Sequence, residues 1–346
     1  MILTYSTIME KEIREEPEIL NNILKNNTPI LTSIKKFLGN KDINGIYISA
    51  RGTSDNASAL GKYLIESILG YITALSAPSL FTIYKNPPSL KNKIVIGVSQ
   101  SGKSEDVCEV LEWGKREGAF CIAITNHQDS PLASLADEVL PCWAGKERSV
   151  PATKTYLAEI FNLYLFCSVI GDRNDILELL KDVPLCISDI IEKAFEMDVS
   201  RFHFMDKCIC IGRGFNYSTA MEFSLKLKET SYIFAEAYSS ADFLHGPLAL
   251  VSYQLPVFVF LPLGPAYRHL KEVIDTLREK TKDIFVFGFD ESEIGESGFV
   301  IPYKVDEVLS PILFAPVFQA FANKLALDKG FNPDSPRFLK KVTITR

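Results

Sequence analysis

The chain has 346 residues, room for two domains of ordinary size, and its 47% hydrophobic content is that of a well-cored globular protein. A formal net charge of −6 with no Lys/Arg block argues against nucleic acid as the main partner. No basic stretch followed by an apolar core opens the chain, so no signal peptide is expected.

Residues 9–37 have a helical pattern, broken near Thr28-Pro29. Strands and helices then alternate: strand 46–49, helix 56–69, strand 93–98, helix 104–117, and strands 120–125 and 137–141. This alternation indicates βαβ units and a parallel sheet. Residues 153–197 read as wholly helical. Within them, 156–170 is the most membrane-like run, but it contains Glu159 and Asn162 and is too short to span, so it is read as a buried helix and no membrane partner is expected. Alternation restarts at Lys207 and ends in a long helix, about 308–329. Seven cysteines without a CxxC pair are expected as free thiols in a cytoplasmic protein. The four histidines have no ligand spacing, so no metal site is expected.

The second alternating block copies the first. Arg51-Gly52 pairs with Arg213-Gly214, the turn closing at Gly102 with that closing at Gly264, and Ile122–Ile124 with Ile284–Val286, all at one constant offset. The fold class is therefore α/β: two homologous doubly wound, flavodoxin-like parallel-sheet domains with helical N-terminal and linking segments. The expected organisation is a helical segment 1–38, a first domain 39–172, a helical linker 173–204, a second domain 205–330 and a tail 331–346. Ligands should sit at the carboxyl ends of the strands.

The copies diverge at their loops. After its strand, the first reads Ser99-Gln100-Ser101-Gly102-Lys103-Ser104 and enters a helix. Hydroxyls and an amide around a helix N-terminus suit an anion, and the spacing is not that of a Walker loop, so a phosphomonoester fits best. A turn with an N-cap serine has the same composition. The second copy has Leu261-Pro-Leu-Gly264, without hydroxyls, and should bind no phosphate. Thr53 and Ser54, at the end of the first strand, reach a sugar or cap a turn. In the helix after Gly214, Glu222, Lys226 and Glu229 fall on one narrow arc between apolar stripes. Either they form an ordinary surface ion pair or they line a cleft. His245, in the Leu-His-Gly-Pro loop nearby, completes a plausible acid/base set.

Six stretches in order carry a resemblance: Gly52-Thr-Ser54, Ser99–Gly102, Val150–Lys154, Glu222–Glu229, His245-Gly-Pro247 and the terminal Pro336–Thr343. They resemble the sugar isomerase (SIS) domain family, most closely the isomerase half of the glutamine–fructose-6-phosphate aminotransferases. No stretch of this sequence resembles the glutaminase domain with its N-terminal catalytic cysteine, so a stand-alone double-SIS chain similar to the SIS-type glucosamine-6-phosphate deaminases is expected. Lys103 and Ala152 depart from the synthase pattern, which has Glu and Ser there.

The resemblance implies roles. Ser99, Gln100, Ser101 and Ser104 would hold the 6-phosphate, while Thr53, Ser54 and the backbone at Val150 and Ala152 would contact the sugar. Glu229 would carry the proton between C1 and C2, assisted by Lys226 and Glu222. His245 would open the ring from the neighbouring subunit of a homodimer, and Lys341 matches a lid lysine. The implied reaction is hydrolysis of glucosamine 6-phosphate to fructose 6-phosphate and ammonia. Alternatives are the isomerase part of glucosamine-6-phosphate synthesis, a deglycase of phosphorylated fructosamines or another phosphosugar isomerase, and a non-catalytic sugar-phosphate sensor. A sensor would need the phosphate loop but not Glu229, Lys226 and His245 together.

Overall fold

The computed structural model describes residues 6–39, 41–294 and 297–341. They form two compact units. The first comprises Glu15–Glu147, Lys154–Pro184 and the tail residues Lys340 and Lys341; the second comprises the N-terminal residues through Arg14, Arg148–Thr153 and Leu185–Leu339.

The first unit holds β1 (Ile46–Ser49), β2 (Thr73–Leu75), β3 (Ile94–Val98), β4 (Phe120–Thr125) and β5 (Glu138–Pro141), all parallel, in the order β2-β1-β3-β4-β5. The second holds β6 (Lys207–Gly212), β7 (Phe234–Ser239), β8 (Val257–Phe260), β9 (Ile284–Gly288) and β10 (Gly298–Val300). Its order, β7-β6-β8-β9-β10, repeats the first. β3 and β8 are buried throughout, as near-continuous apolar runs require when helices cover both faces of a sheet. The strand order reverses between β1 and β3, and between β6 and β8, and each reversal opens a crevice at the carboxyl ends of the strands.

The repeat extends to backbone angles. Gly52 has φ 59°, ψ −130° and Gly214 has φ 57°, ψ −126°, each one residue before a helix, Thr53–Leu64 and Phe215–Ser231 respectively. Residues with a Cβ rarely adopt this region, which explains a glycine at both turns. The second helix is fixed to its sheet by Phe223, fully buried, whose ring meets those of Phe258, Phe287 and Phe321 edge-on at 5.2–5.6 Å. Such pairs add about 0.5–1.5 kcal/mol each beyond their buried area. One turn of that helix therefore has a defined rotation, and with it the neighbouring Glu222.

Several expectations need correction. The helix Glu16–Leu38 runs unbroken through Pro29, and the chain instead breaks at Glu15, after the helix Ile8–Arg14 and just before Pro17. An interior proline costs about 3 kcal/mol or more. Here Ile19, Leu20, Ile23, Leu31 and Ile34 keep one buried face across the proline, and each contributes roughly 1.5–3 kcal/mol. Asn27 ties the same face down, donating to Pro141 O at 2.8 Å and Asn162 Oδ1 at 2.7 Å. Two polar residues in the first turn of the helix after Gly214 bond away from its free amides: Asn216 donates to Ser310 Oγ and Ser218 to Phe215 O. Strands β2, β7 and β10 escape a pattern reading because they are short or mixed in polarity. The helix Lys154–Ile170 is buried, as read from the sequence, and the span-like segment among the described residues is Glu307–Asp328. It is long and apolar enough to cross a membrane, but 89% of its apolar window is buried inside the fold. All seven cysteines are free thiols, and burial pushes Cys108 up to about 11 and Cys121 up to about 12.

Candidate active site

In the first unit β3 ends at Val98, and the chain turns through Ser99–Ser104 into the helix Glu105–Arg116. Gly102 makes the turn with φ 61°, and its backbone lies so close to its neighbours that an added Cβ would sit 2.0 Å from Ser130 Oγ. The Gly102 amide donates back to Ser99 O at 3.1 Å and Ser99 Oγ at 3.2 Å, and Leu132 N donates to Gly102 O at 3.0 Å. The loop is thus held from below by its own strand and by the helix Pro131–Leu135. Ser104 occupies the N-cap position but makes no side-chain capping bond, so the simple N-cap reading of this serine fails. Its hydroxyl stands beside helix amides that have no intrahelical partner. Asp106, in the first helical turn, is buried and accepts twice from Arg51, at 2.9 and 2.8 Å, which offsets its charge. Lys103 is exposed at the loop and adds a cation. The arrangement suits a dianionic phosphomonoester.

Removal of hydroxyls should show directly. Ser101→Ala combined with Ser104→Ala removes two hydrogen bonds to a charged group, on the order of 3 kcal/mol. The expected result is a KM for a phosphorylated sugar raised about a hundredfold with a smaller change in kcat. Steady-state kinetics with an unchanged KM would remove the loop from the site.

Thr53 begins the helix after Gly52. Ser54 is buried and donates to Glu159 Oε1 at 2.8 Å, so its hydroxyl is engaged by a carboxylate of the helix Lys154–Ile170. Lys341 pairs with Glu147 at 2.5 Å; Glu147 is fully buried and also accepts from Thr155 Oγ1 at 2.7 Å. The tail lysine is therefore tethered within the first unit. Thr343, at the end of the tail motif, lies outside the described residues.

In the second unit the helix Phe215–Ser231 carries the residues expected from the sequence as the acid/base set. Glu222 and Lys226 have no side-chain exposure, whereas Glu229 is 20% exposed. Lys226 Nζ lies 2.5 Å from Glu229 Oε2 and 3.3 Å from Glu222 Oε1. The surface ion-pair reading is thereby overturned: this is a buried ammonium between two carboxylates, with only the outer one reaching solvent. Burial works against the ammonium, but Glu229 and Glu222 outweigh it and hold Lys226 above lysine's ordinary value. His245 follows the short helix Ser240–Leu244 on an exposed loop, its amide bound to Asp242 O. Val150 and Ala152 belong to this unit. The Val150 amide donates to Asp334 O at 3.0 Å, and Glu12 accepts from Ser149 N at 3.2 Å, so the N-terminal helix and the tail set that loop.

The sequence reading missed Glu12, Glu147 and Glu159, which hold site segments in place. Each acts on a partner far along the chain, and a lone buried glutamate leaves no local pattern.

Two open parallel sheets of the same strand order, with a hydroxyl-rich turn after β3 and a charged helix after β6, define a double α/β protein built from two copies of one domain. The SIS domain model matches residues 41–169 and 205–311, and the chain belongs to that family. It is 36% identical to a glutamine–fructose-6-phosphate aminotransferase (isomerizing) of Gloeobacter violaceus, over 97% of this chain and 58% of that protein. The chain thus spans under two thirds of that relative's length. The C-terminal domain of glucosamine-fructose-6-phosphate aminotransferase from Francisella tularensis superposes with a TM-score of 0.85 at 26% identity, covering 96% of this chain and 98% of that one. A glucosamine-6-phosphate deaminase from Thermotoga maritima shares the fold, with a TM-score of 0.78 at 23% identity over 98% of this chain and 100% of that one.

Proposed function

We propose that the protein is a glucosamine-6-phosphate deaminase of the cytoplasm, converting glucosamine 6-phosphate and water to fructose 6-phosphate and ammonia. The observation that carries this reading is the buried Glu222–Lys226–Glu229 array, which a mere sugar-phosphate sensor would not need. The hydroxyls of Ser99, Ser101 and Ser104 and the amide of Gln100 hold the 6-phosphate, and the segments at Thr53, Ser54, Val150 and Ala152 contact the sugar.

His245 takes the O1 proton and returns one to O5 as the C1–O5 bond breaks, a task suited to imidazole near neutral pH. Glu229 then takes the proton from C2 and delivers it to C1 while water relays a proton from the C2 amine to O1, leaving a hydroxyl at C1 and an imine at C2. A single carboxylate on a rigid helix can face both carbons. Lys226, itself without side-chain exposure, stays charged behind Glu229 and orients that carboxylate toward C1 and C2. Lys341 closes over the sugar from the tail. Water adds to C2, the C–N bond breaks, and ammonia leaves as the ketone forms. Every proton in this sequence is carried by the named side chains or by water, and neither a metal nor an organic cofactor is needed.

The 36% identity to an aminotransferase favours a second reading, the isomerase part of glucosamine-6-phosphate synthesis. One assay separates them. The purified chain should release ammonia from glucosamine 6-phosphate with stoichiometric fructose 6-phosphate; release from galactosamine 6-phosphate alone would move the substrate to the other epimer. No release, with glucosamine 6-phosphate formed from fructose 6-phosphate and ammonia, would favour synthesis.

We further propose a homodimer in which His245 acts in the partner's site, because the residue stands on an exposed loop and not on the Glu229 helix. Glu229→Gln and His245→Ala chains, each nearly inactive, should complement after subunit exchange. Random pairing gives about half heterodimers, each with one intact site, so activity should return to roughly a quarter of wild type. No recovery after verified exchange would return His245 to its own chain's site.

A further inference from the structure

The second unit repeats the crevice of the first, and that crevice is not empty. The turn after β8, Leu261–Gly264, corresponds to the phosphate loop, and the helix Tyr267–Arg278 follows it. At the mouth of that helix the Ala266 amide donates to Glu307 Oε2 at 2.8 Å. Glu307 is 7% exposed, and no described cation lies within ion-pair distance of it. Its carboxylate reaches both turns of the crevice. A Cβ on Gly264 would lie 3.2 Å from Oε2 and 2.9 Å from Glu307 Cβ, and one on Gly214 would lie 3.4 Å from Oε1. Gly214 is the counterpart of Gly52, and Gly264 of Gly102. The carboxylate therefore occupies, within the second unit, the place between the two turns where an oxyanion ligand belongs in this fold.

The residue's position in the chain explains how it gets there. Glu307 stands three residues before the helix Ser310–Asp328, as Pro151 stands three residues before the helix Lys154–Ile170. One copy has an uncharged Val-Pro-Ala run at that point, and the other has an acid. In the first unit no described carboxylate accepts a hydrogen bond from the amides of Ser99–Ser104.

We infer that the second crevice is an oxyanion cradle filled by the protein's own Glu307 carboxylate, which stands in for a phosphate and keeps free phosphate esters out. This adds a physical cause to the loss of hydroxyls at Leu261–Gly264: the site is occupied as well as stripped. It also predicts that removing the carboxylate re-creates an anion site. Burial pushes the Glu307 carboxyl up and the Ala266 amide pulls it back, as expected for a charge held by a single backbone donor.

The test uses selenate as an anomalous oxyanion probe in crystals of the whole chain, with phosphate-induced thermal stabilisation in solution as the second readout. Wild type should show selenate at Ser99–Ser104 and none at Ala266. Glu307→Ala, and Glu307→Ser as a smaller disturbance, should go from one to two selenates per chain, the new one within hydrogen-bond distance of Ala266 N. In the Ser101→Ala/Ser104→Ala background only the second should remain, so loss of the first site tests the phosphate-loop reading and leaves this one standing. A folded Glu307→Ala or Glu307→Ser protein with no second anion overturns the inference. So does a selenate against Ala266 in wild type, an arm that does not depend on either variant folding.

Discussion

Glu229→Gln should abolish exchange of the C2 hydrogen of glucosamine 6-phosphate with solvent deuterium while leaving sugar-phosphate binding nearly intact. The substitution keeps the side chain's shape and its acceptor oxygen toward Lys226 Nζ, 2.5 Å away, but removes the group that accepts a proton. Losing a general base commonly costs about 10²–10⁴ in rate, so exchange followed by NMR should fall to background and kcat by at least two orders of magnitude. Binding should survive because the phosphate contacts we propose lie on a different loop, Ser99–Ser104. Geometry favours Glu229 over Glu222: both touch the same ammonium, but Glu229 is 20% exposed and Glu222 not at all. A base must reach substrate, and a carboxylate sealed in the helix packing cannot. Persistence of exchange at the wild-type rate would hand the role to another residue.

The features legible in the sequence were those encoded locally. The buried central strands are apolar runs, and Ile46–Ser49 and Phe120–Thr125 end where the pattern ends. Gly52 and Gly214 mark positive-φ turns that few other residues tolerate. Their constant spacing, with that of Gly102 and Gly264, exposes the repeat without any knowledge of contacts. The charged arc on the helix Phe215–Ser231 was visible too, but its environment was not. Periodicity places Glu222, Lys226 and Glu229 on one side of a cylinder and is silent on what covers that side.

What stayed hidden depends on distant partners. Pro29 reads as a break because the rule for proline is local, whereas the buried face that carries the helix past it is made with Pro141 and Asn162. Glu159 reaches Ser54, Glu147 reaches Lys341, and Glu307 reaches Ala266. Each is a single acid whose partner the local sequence does not name. Repeat comparison would have flagged Glu307 had the alignment followed the helix starts as well as the strand ends, because only then does an acid stand opposite Pro151.

Lys226→Met should be the most destabilising single change in the second unit. Methionine fills much of the lysine stem's volume, so packing is largely kept and the loss is electrostatic. Lys226 and Glu222 are fully buried, and breaking a buried pair by removing one partner costs about 3–5 kcal/mol because the remaining charge is left without its counter-ion. The denaturant midpoint should fall with little change in m-value. Adding Glu222→Gln removes the stranded charge and should recover part of the loss, giving a double-mutant cycle with a coupling of order 1–3 kcal/mol. The pH profile gives an independent check. The folded-state pKa of Lys226 is raised, so its contribution is fully present below the unfolded value of about 10.4 and is lost as pH rises through the higher folded value. Wild type should therefore shed stability in alkali that Lys226→Met has already lost, and the two curves should converge there. An unchanged midpoint at neutral pH, or curves that stay parallel above pH 10.4, would mean that the ammonium is not what holds the two carboxylates in the helix packing.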